Sequence, residues 1–575
     1  MKTRAIFGLL LFLAFAGTAQ IQKNNKSELT IDQIMQEPSQ WIGTLPENIS
    51  WGENSNFIYF SWNPGQDTLE SLHSYSLETK KIKKIEPQEK IQLPLGEGDY
   101  NAGYTRKIYA KDGNLFLFDV NEGTVKMLMS WIEDISSPQF AAGDSCVSFL
   151  SKNNLFLLNL ETNVVTQITN FVEGKSPQNK ENNAQAKWLK NQQKELFRVL
   201  NEREAERKTR EYRRKKEAPE KPQIIYLGEK QLIDATLSPS GKYVIYSTYK
   251  KPENAKSTNV THHITETGYT EEKAARSKVG SPQPVIEMGI LDVENDTIIQ
   301  VKTEEIAGIK DTPAYLENYP HDSENTEILP RKINMPGPVW NDTKDLAIVV
   351  ARSHDNKDRW ILLLHPEKGE LELLDRQQDE AWIGGPGIEE RNYHTGNIGW
   401  MPDGQSVWFQ SEVSGFSHLY TVNTKTKEKT ALTSGNFEIY NPSVSRDANY
   451  FYFTANKNHP GVKHFYRMPV WGGKMIQLTT MEGNNQVILS PDEKYLAIRY
   501  SRANQPWELY LQKNKAGAES RRITHSTTDA FNAYEWRSPE FITFRSNDGQ
   551  EVHARLYRPD KPENQGPAVI FVHGA

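Results

Sequence analysis

One short unit of sequence recurs through most of this chain and restricts the folds that it can adopt. The unit opens with a turn such as Ser-Pro-Ser-Gly or Pro-Asp-Gly and runs into a segment rich in β-branched and aromatic residues. Proline fixes φ in such a turn, and Asp, Asn or Gly tolerates the next turn conformations. The clear copies are Leu237–Ser247, Trp400–Phe409 and Leu489–Ile498, and weaker copies begin at Ser50, Phe140, Val339 and Pro442. The repetition predicts an all-β protein.

Further strand-like runs complete each unit. Examples are 114–119, 155–160 and 418–422, and a Leu-Thr or Ile-Thr pair closes units at Thr169, Thr433, Thr479 and Thr524. Four strands per unit, with no helix between most units, predict a β-propeller of about eight blades between Trp51 and Thr524. The alternative, an array of β-sandwiches, does not account for the recurring turn.

Two segments interrupt the repeat within the predicted propeller, residues 48–530. Residues 184–216 are helical in pattern and charged, and we expect a solvated helical insertion docked only by its first turns. A basic arm that binds a partner is the other interpretation. Residues 252–281 are polar, and we expect a long loop. The apolar residues at helical spacing in the first segment are Trp188, Leu189, Leu196, Phe197 and Leu200.

Two segments lie outside the propeller. Residues 28–35, within an N-terminal segment 20–47, read as a short amphipathic helix capped by Thr30. Residues 531–575 begin with a hairpin over 540–558, whose turn is Asn547-Asp548-Gly549. An apolar run over 569–572 has the pattern of a buried-type strand, and His573-Gly574 follows it. In the chain as written this strand lacks its sheet partners, and we expect it to be an exposed apolar edge.

The first 19 residues have the pattern of a signal peptide. Lys2 and Arg4 precede a short apolar run, and small residues follow at Gly17 and Ala19. The run is shorter than the roughly 20 residues that a spanning helix needs, which disfavours the alternative of an uncleaved anchor. We therefore expect cleavage near Ala19 and a secreted or periplasmic protein.

Composition excludes several classes of function. A net charge of −6 argues against nucleic-acid binding. Cys146 is the one cysteine, so no intrachain disulfide and no lipoprotein anchor after the signal are expected. His262-His263 lacks flanking ligands, and the glycine-rich run 382–387 lacks the lysine and strand-to-helix setting of a phosphate loop. We expect no metal, cofactor or stable membrane anchor, and the oligomeric state is left open.

The order of propeller, hairpin and an apolar strand ending in Phe571-Val572-His573-Gly574 resembles the prolyl oligopeptidase family of serine peptidases. A count of about eight blades is similar to the dipeptidyl-peptidase-IV branch. The resemblance implies an α/β-hydrolase domain with a Ser-Asp-His triad. A propeller would cap that domain so that only short or unfolded peptides enter. It also implies that the N-terminal segment packs on the hydrolase domain.

The resemblance suggests roles for two pairs of residues. His573 and Gly574 match the oxyanion side of the active site, where the dipeptidyl-peptidase branch carries a tyrosine instead of this histidine. The ring of His573 or a nearby backbone N–H would donate to the oxyanion, or the histidine only shapes the strand end. Glu389-Glu390 is the candidate for the glutamate pair that binds the substrate's free amine in that branch. The aromatic context of the family's pair is missing here, and adjacent glutamates are also common on solvated loops, as at Glu271-Glu272 and Glu304-Glu305.

No Gly-x-Ser-x-Gly turn occurs in the 575 residues. In this fold the nucleophile, the acid and the base follow the oxyanion loop in chain order. We therefore expect that the chain as written lacks the triad and is inactive alone, as the propeller part of a secreted serine peptidase. The alternative is a non-catalytic periplasmic propeller that binds a protein or peptide. The hairpin and the apolar strand favour the peptidase.

Overall fold

The computed structural model describes residues 29–94, 98–176, 184–217, 221–313, 329–388, 394–559 and 566–572. Within them, antiparallel sheets of four strands follow one another along the chain. Eight such sheets make eight blades, which confirms the prediction of an all-β, propeller-like fold.

The first four blades contain the following strands. Blade 1 has Glu47–Trp51, Phe57–Trp62, Ser71–Ser76 and Ile82–Lys84. Blade 2 has Asp99–Tyr100, Arg106–Lys111, Asn114–Asp119 and Thr124–Met129. Blade 3 has Ile135–Ala141, Cys146–Ser151, Asn154–Asn159 and Val165–Gln167. Blade 4 has Gln231–Leu237, Tyr243–Lys250, Val285–Asp292 and Thr297–Ile299.

The last four blades follow the same order. Blade 5 has an interrupted first strand, Ile333–Asn334 and Val339–Trp340, then Ala347–Ser353, Asp358–His365 and Glu370–Gln378. Blade 6 has Ile398–Trp400, Ser406–Ser411, His418–Asn423 and Lys429–Ala431. Blade 7 has Ile439–Val444, Tyr450–His459, Val462–Pro469 and Ile476–Gln477. Blade 8 has Asn484–Leu489, Tyr495–Arg502, Gln505–Lys513 and Arg521–Arg522, and a single parallel pairing joins it to blade 7.

Helices and additional strands lie between and beyond the blades. The helices are α1 (Ile31–Ile34), α2 (Pro38–Trp41), α3 (Pro87–Gln92), α4 (Ala184–Leu196), α5 (Arg198–Glu217) and α6 (Asp529–Asn532), with a 3₁₀ turn at Thr303–Glu305. A parallel pair, Asn170–Val172 and Ile224–Tyr226, brackets α4 and α5. A hairpin of Ser257–His262 and Glu271–Ser277 is inserted in blade 4, and a last hairpin pairs Glu540–Arg545 with Glu551–Leu556. No described helix is long and apolar enough to cross a membrane.

Neighbouring blades pack through apolar side chains. Buried clusters join blade 2 to 3, 3 to 4, 4 to 5, 5 to 6, 6 to 7 and 7 to 8. A further cluster joins blade 8 to blade 1, where the indole N–H of Trp51 also donates to the carbonyl of Ile488 at 2.9 Å. The first and last blades therefore meet, and side-chain packing closes the ring without a strand shared between them.

The contact between blades 1 and 2 is polar in the described residues. The Lys107 ammonium lies 2.6 Å from a carboxylate oxygen of Glu53, and both side chains are 7% exposed. The Tyr100 hydroxyl donates to the other oxygen of Glu53. Burial, and then this hydrogen bond, raises the pKa of Tyr100. We call these three residues the blade 1–2 seam.

The antiparallel order gives the ring two faces. In each blade the turn between strands one and two and the turn between strands three and four lie on one face, which we call the turn face. Loops between strands two and three and the connections between blades lie on the other, the junction face. The segments before blade 1 and after blade 8 meet there, since the Thr528 amide donates to the carbonyl of Ile42 at 3.0 Å.

The helical insertion is confirmed, but its docking is not. Helices α4 and α5 cover the predicted range and contact each other, with an ion pair between Lys194 and Glu204. Trp188 is 60% exposed and Leu196 is 70% exposed, so the prediction that the first turns are docked is wrong. Helical spacing identifies an apolar face but carries no information on what covers it.

Two further predictions are wrong. The polar segment 252–281 contains a hairpin instead of a continuous loop, and every residue of its two strands is exposed. Such a hairpin has no buried face, so its sequence lacks the alternation that predicts a strand.

Residues 569–572 form no strand and are 83–96% exposed. An apolar run becomes a strand only beside other strands, and no described sheet includes this segment.

Candidate functional site

The structure does not describe the site residues that the sequence predicts. His573, Gly574, Glu389 and Glu390 all lie outside the described residues. The loop that carries the glutamate pair is described up to Ile388 and again from His394. It connects the last strand of blade 5 to the first strand of blade 6, so both described ends belong to the junction face.

The described part of this loop is a glycine turn that lies directly on blade 6. Gly385 has φ +100°, and a Cβ there would come within 2.1 Å of a carboxylate oxygen of Glu412. Gly387 has φ +72°, and its Cβ would meet the side-chain oxygen of Gln410 at 1.8 Å. Only glycine allows both the left-handed backbone and this close approach. The expectation that 382–387 forms a loop on a propeller face is confirmed.

Buried polar side chains hold the glycine turn in place. The Gln410 amide donates to Ser417 Oγ at 3.0 Å, and Ser417 Oγ donates to the carbonyl of Pro386 at 2.7 Å. The guanidinium of Arg359 donates to the carbonyls of Gln410 and Thr395, each at 3.0 Å. Arg359 is fully buried, and burial lowers its pKa to about 9. Blades 5 and 6 and the loop between them are thus tied together by hydrogen bonds to neutral acceptors.

Three carboxylate side chains lie near one another on loops of the junction face, beside the glycine turn. Glu412 is partly buried, and its pKa is raised by burial first and then by the charges of Glu438 and Asp379. Glu438 accepts the Ser417 amide at 2.6 Å, and Asp379 accepts the amides of Ala381 and Trp382 at 2.6 and 3.0 Å. We call Asp379, Glu412 and Glu438 the acidic group.

The arrangement of the acidic group is suited to binding a cation. Backbone amides fix Glu438 and Asp379, while the Glu412 carboxylate is partly desolvated by burial and repelled by the two like charges. A positively charged group that approached Glu412 would relieve this repulsion and favour its ionised form. The indole of Trp382 lies on the adjoining turn and is 67% exposed, so it presents an aromatic surface to solvent.

Sequence reasoning did not identify the acidic group. Its members are separated by more than twenty residues along the chain and belong to three different junction-face loops. Assignment of each loop to the junction face, from the order of strands in a blade, would have brought them together. No group of three or more potential metal ligands occurs in the parts of the chain that the structure describes.

The junction face also receives both ends of the propeller. Trp41 of α2 is 6% exposed and packs on Phe531 and Trp536, with ring centroids 6.2 and 6.3 Å away. The Thr528 hydroxyl donates to the carbonyl of Trp41. The last hairpin reaches blade 7, where the rings of His459 and Phe541 lie edge to face at 5.2 Å. Whatever precedes or follows the ring in the protein is therefore positioned on this face.

Comparisons with known proteins agree with this architecture. A family model described as the dipeptidyl peptidase IV (DPP IV) N-terminal region matches residues 100–201 and 235–507, which together are more than half of the chain. A "probable dipeptidyl-aminopeptidase B" from Coccidioides posadasii (strain C735) is 22% identical over 323 residues. A "probable dipeptidyl peptidase 4" from Emericella nidulans is 20% identical over 316 residues.

The curated matches cover a larger share of this chain than of the relatives. The curated matches cover 52% of this chain but 31% and 37% of the respective relatives. Among solved structures, Porphyromonas gingivalis dipeptidyl peptidase 4 has a TM-score of 0.54 and 13% sequence identity. That comparison covers 92% of this chain and 67% of the other, and at this identity it supports the fold alone.

The matched residues run from the first strand of blade 2 into blade 8, with a gap at α5 and the segment after it. The match thus follows the propeller from blade 2 onwards and includes α4, and its gap runs from within α5 into the first strand of blade 4. The chain belongs to the dipeptidyl peptidase IV N-terminal-region family, and its blades form the dipeptidyl-peptidase-IV-like propeller of the prolyl oligopeptidase family.

Proposed function

We propose that this chain is the propeller part of an exported serine peptidase that hydrolyses short peptides by acyl transfer. Catalysis is assigned to a Ser-Asp-His triad outside these 575 residues, because they contain no Gly-x-Ser-x-Gly turn. In this proposal His573 and Gly574 line the oxyanion side of the active site. The reaction uses no cofactor, and the partners are peptide substrates.

One observation supports this proposal most strongly. The segments on both sides of the ring meet at the junction face, and the last hairpin docks on that same face. A hydrolase domain attached to these segments would lie over the junction face of the propeller. Substrates would then reach it only through the propeller or past its edge, which limits their size.

The acidic group gives this face a role in substrate recognition. We assign Glu412 as the main contact for the positively charged amino end of a peptide, since no described residue forms a hydrogen bond or ion pair with its carboxylate and two like charges lie near it. The pair Glu389-Glu390 belongs to the adjoining loop, and in this proposal it adds to the same negative potential. Specificity for a free amine would follow, because an acetylated amine carries no charge.

Fluorophosphonate labelling tests the peptidase assignment. The purified 575-residue chain should show no labelled serine. A longer product of the same gene that continues beyond Ala575 should label one serine and cleave short peptides faster than folded proteins. If such a product neither labels nor cleaves, the chain is a binding propeller and the peptidase assignment fails.

The exported location is tested separately. We propose that a signal peptidase removes residues 1–19 and leaves Gln20 at the N-terminus. Cell fractionation should find the protein outside the cytoplasm, and N-terminal sequencing should begin at Gln20. Recovered material that begins at Met1 and fractionates with the cytoplasm would refute the proposal.

A further inference from the structure

A cavity of about 560 Å³ lies between blade 7, blade 8 and the last hairpin. Its walls come from three separate parts of the chain. Blade 7 contributes the turn at Pro460-Gly461 and the start of its third strand, blade 8 contributes its loop at 501–504, and the hairpin contributes Phe541 and Arg555. The volume is that of a small-molecule site. It lies apart from the acidic group, which is built on blades 5 and 6 and the connection to blade 7.

Cations dominate the lining of this cavity. Lys463, Arg502 and Arg555 line it, and Glu482 is the one carboxylate among the described lining residues. None of the three cations forms a salt bridge with another described residue. Three positive charges therefore face a single negative charge across a water-accessible space.

The surroundings of Lys463 show that its charge is poorly compensated. Its ammonium lies 3.9 Å from the centre of the Tyr440 ring, a contact with the electron-rich face of the ring and not with a carboxylate. Burial lowers the pKa of Lys463. A bound anion at this position would restore the interaction that burial removes.

The hairpin side of the cavity is positive as well. The Arg555 guanidinium lies 5.8 Å from the ring centre of Phe541. The pKa of His459, on the neighbouring turn, is lowered by burial first and then by His553 and Arg555. The hairpin thus docks with a cation facing the cations of the propeller, which is unfavourable unless a negative charge lies between them.

We propose that this cavity binds a small anion with two or more negative charges, and that the anion bridges the propeller and the hairpin. Phosphate and carboxylate groups share the required chemistry, since both accept charge-assisted hydrogen bonds from lysine and arginine. The anion contacts Arg555 on the hairpin and Lys463 and Arg502 on the blades, so its binding strengthens the docking of the hairpin. This site is independent of the proposed peptidase activity.

Calorimetric titration of the 575-residue chain with pyrophosphate and with citrate tests the site. At least one of the two should bind, and the better probe identifies whether phosphate or carboxylate is preferred. K463Q and R555Q should each weaken binding about tenfold or more, which corresponds to the loss of one charge-assisted hydrogen bond. E482Q should strengthen binding, because it removes the opposing charge.

R545Q is the matched control. It makes the same change on the same hairpin, but Arg545 does not line the cavity. It should leave binding unchanged. Hydrogen exchange provides a second readout, in which the anion should slow exchange of the amides of 540–556 in the wild type and in R545Q but not in R555Q. Binding that is equally weak in all variants, or hairpin exchange that no anion alters in the wild type, would overturn the proposal.

Discussion

A buried threonine just beyond the fourth strand closes several blades in the same way. Its hydroxyl accepts the backbone N–H of a residue on the third strand, at 2.8 Å for Thr169, 3.0 Å for Thr433, 2.9 Å for Thr479 and 2.9 Å for Thr524. These threonines are 0–6% exposed. The hydroxyl accepts the hydrogen bond that a backbone carbonyl of a longer fourth strand would otherwise accept. This shared role explains why the Leu-Thr and Ile-Thr pairs recur in the sequence.

Replacement of Thr479 by valine tests this role. Valine has the same shape, so T479V removes the hydroxyl without a large cavity and leaves the buried Phe465 amide without its acceptor. We expect a loss of about 1–3 kcal/mol in the free energy of unfolding. Urea unfolding measures the loss. T479S should retain most of the stability, and T430V, at an exposed position on a fourth strand, should change it little. Equal stability of T479V and the wild type would contradict the role.

Glu412 predicts a pH dependence of stability. Its pKa in the folded protein is raised above the ordinary value, so the folded state keeps the proton to a higher pH than the unfolded state does. Stability attributed to this group is therefore complete below the ordinary glutamate range and is lost as pH rises through the folded-state pKa. E412Q should melt at a higher temperature than the wild type at pH 7.5, and the difference should shrink towards pH 4. A difference that is constant with pH would contradict the assignment.

At this scale the sequence predicted the turns and the closing threonines but not the acidic group. The turn residues act locally, and Ser490 illustrates this because its hydroxyl accepts the Tyr495 amide five residues on, at 2.9 Å. Asp379, Glu412 and Glu438 meet only because three junction-face loops converge. Such convergence depends on the closure of the ring, which a local pattern does not encode.

The last hairpin is an element that folds by its own local pattern. Its turn has Gly549 at φ +86°, and the Ser546 amide bonds to the carbonyl of Gln550 at 2.9 Å. Most of its side chains are exposed, and its contacts with the ring are few, such as the contact of 5.2 Å between the rings of Phe541 and His459. Its position was not predictable from the sequence, since His459 on blade 7 provides the contact.

Removal of the chain after Ser538 tests whether this element supports the ring. We expect little change in melting temperature, because the inter-blade clusters do not include the hairpin. Solubility should improve, since the exposed apolar residues 569–572 are also removed. Thermal melting and the soluble yield of the two chains provide the measurement. A large drop in melting temperature would show that the tail is structural.

At the scale of the whole molecule, the blade 1–2 seam differs from the other contacts between blades. A buried ion pair is stable only while both charges are present, because removal of one leaves the other buried and uncompensated. K107M should therefore cost about 3–5 kcal/mol of unfolding free energy. The double change E53L/K107M should recover most of the loss, because it removes both charges. Chemical denaturation of the three proteins decides this, and a double variant no more stable than K107M would contradict it.

The repeat of the sequence predicted the propeller and its approximate number of blades, because each blade is a local unit of about the same length. The seam was not predictable, since Glu53 and Lys107 are separated by 54 residues and neither stands out from other charged residues. The blade 4 hairpin was missed because it has no buried face and so leaves no periodic signal in the sequence. The exposure of α4 was missed because helical spacing shows an apolar face but not what covers it.

At the scale of the whole molecule, we propose that the junction face of this propeller recognises the amino end of a peptide. Calorimetric titration with a tripeptide and with its N-acetylated form measures this recognition. The wild-type chain should bind the free amine several times more tightly, E412Q should lose that preference, and E428Q, at an exposed turn of blade 6, should keep it. Equal binding of the two peptides by the wild-type chain, or an unchanged preference in E412Q, would contradict the account.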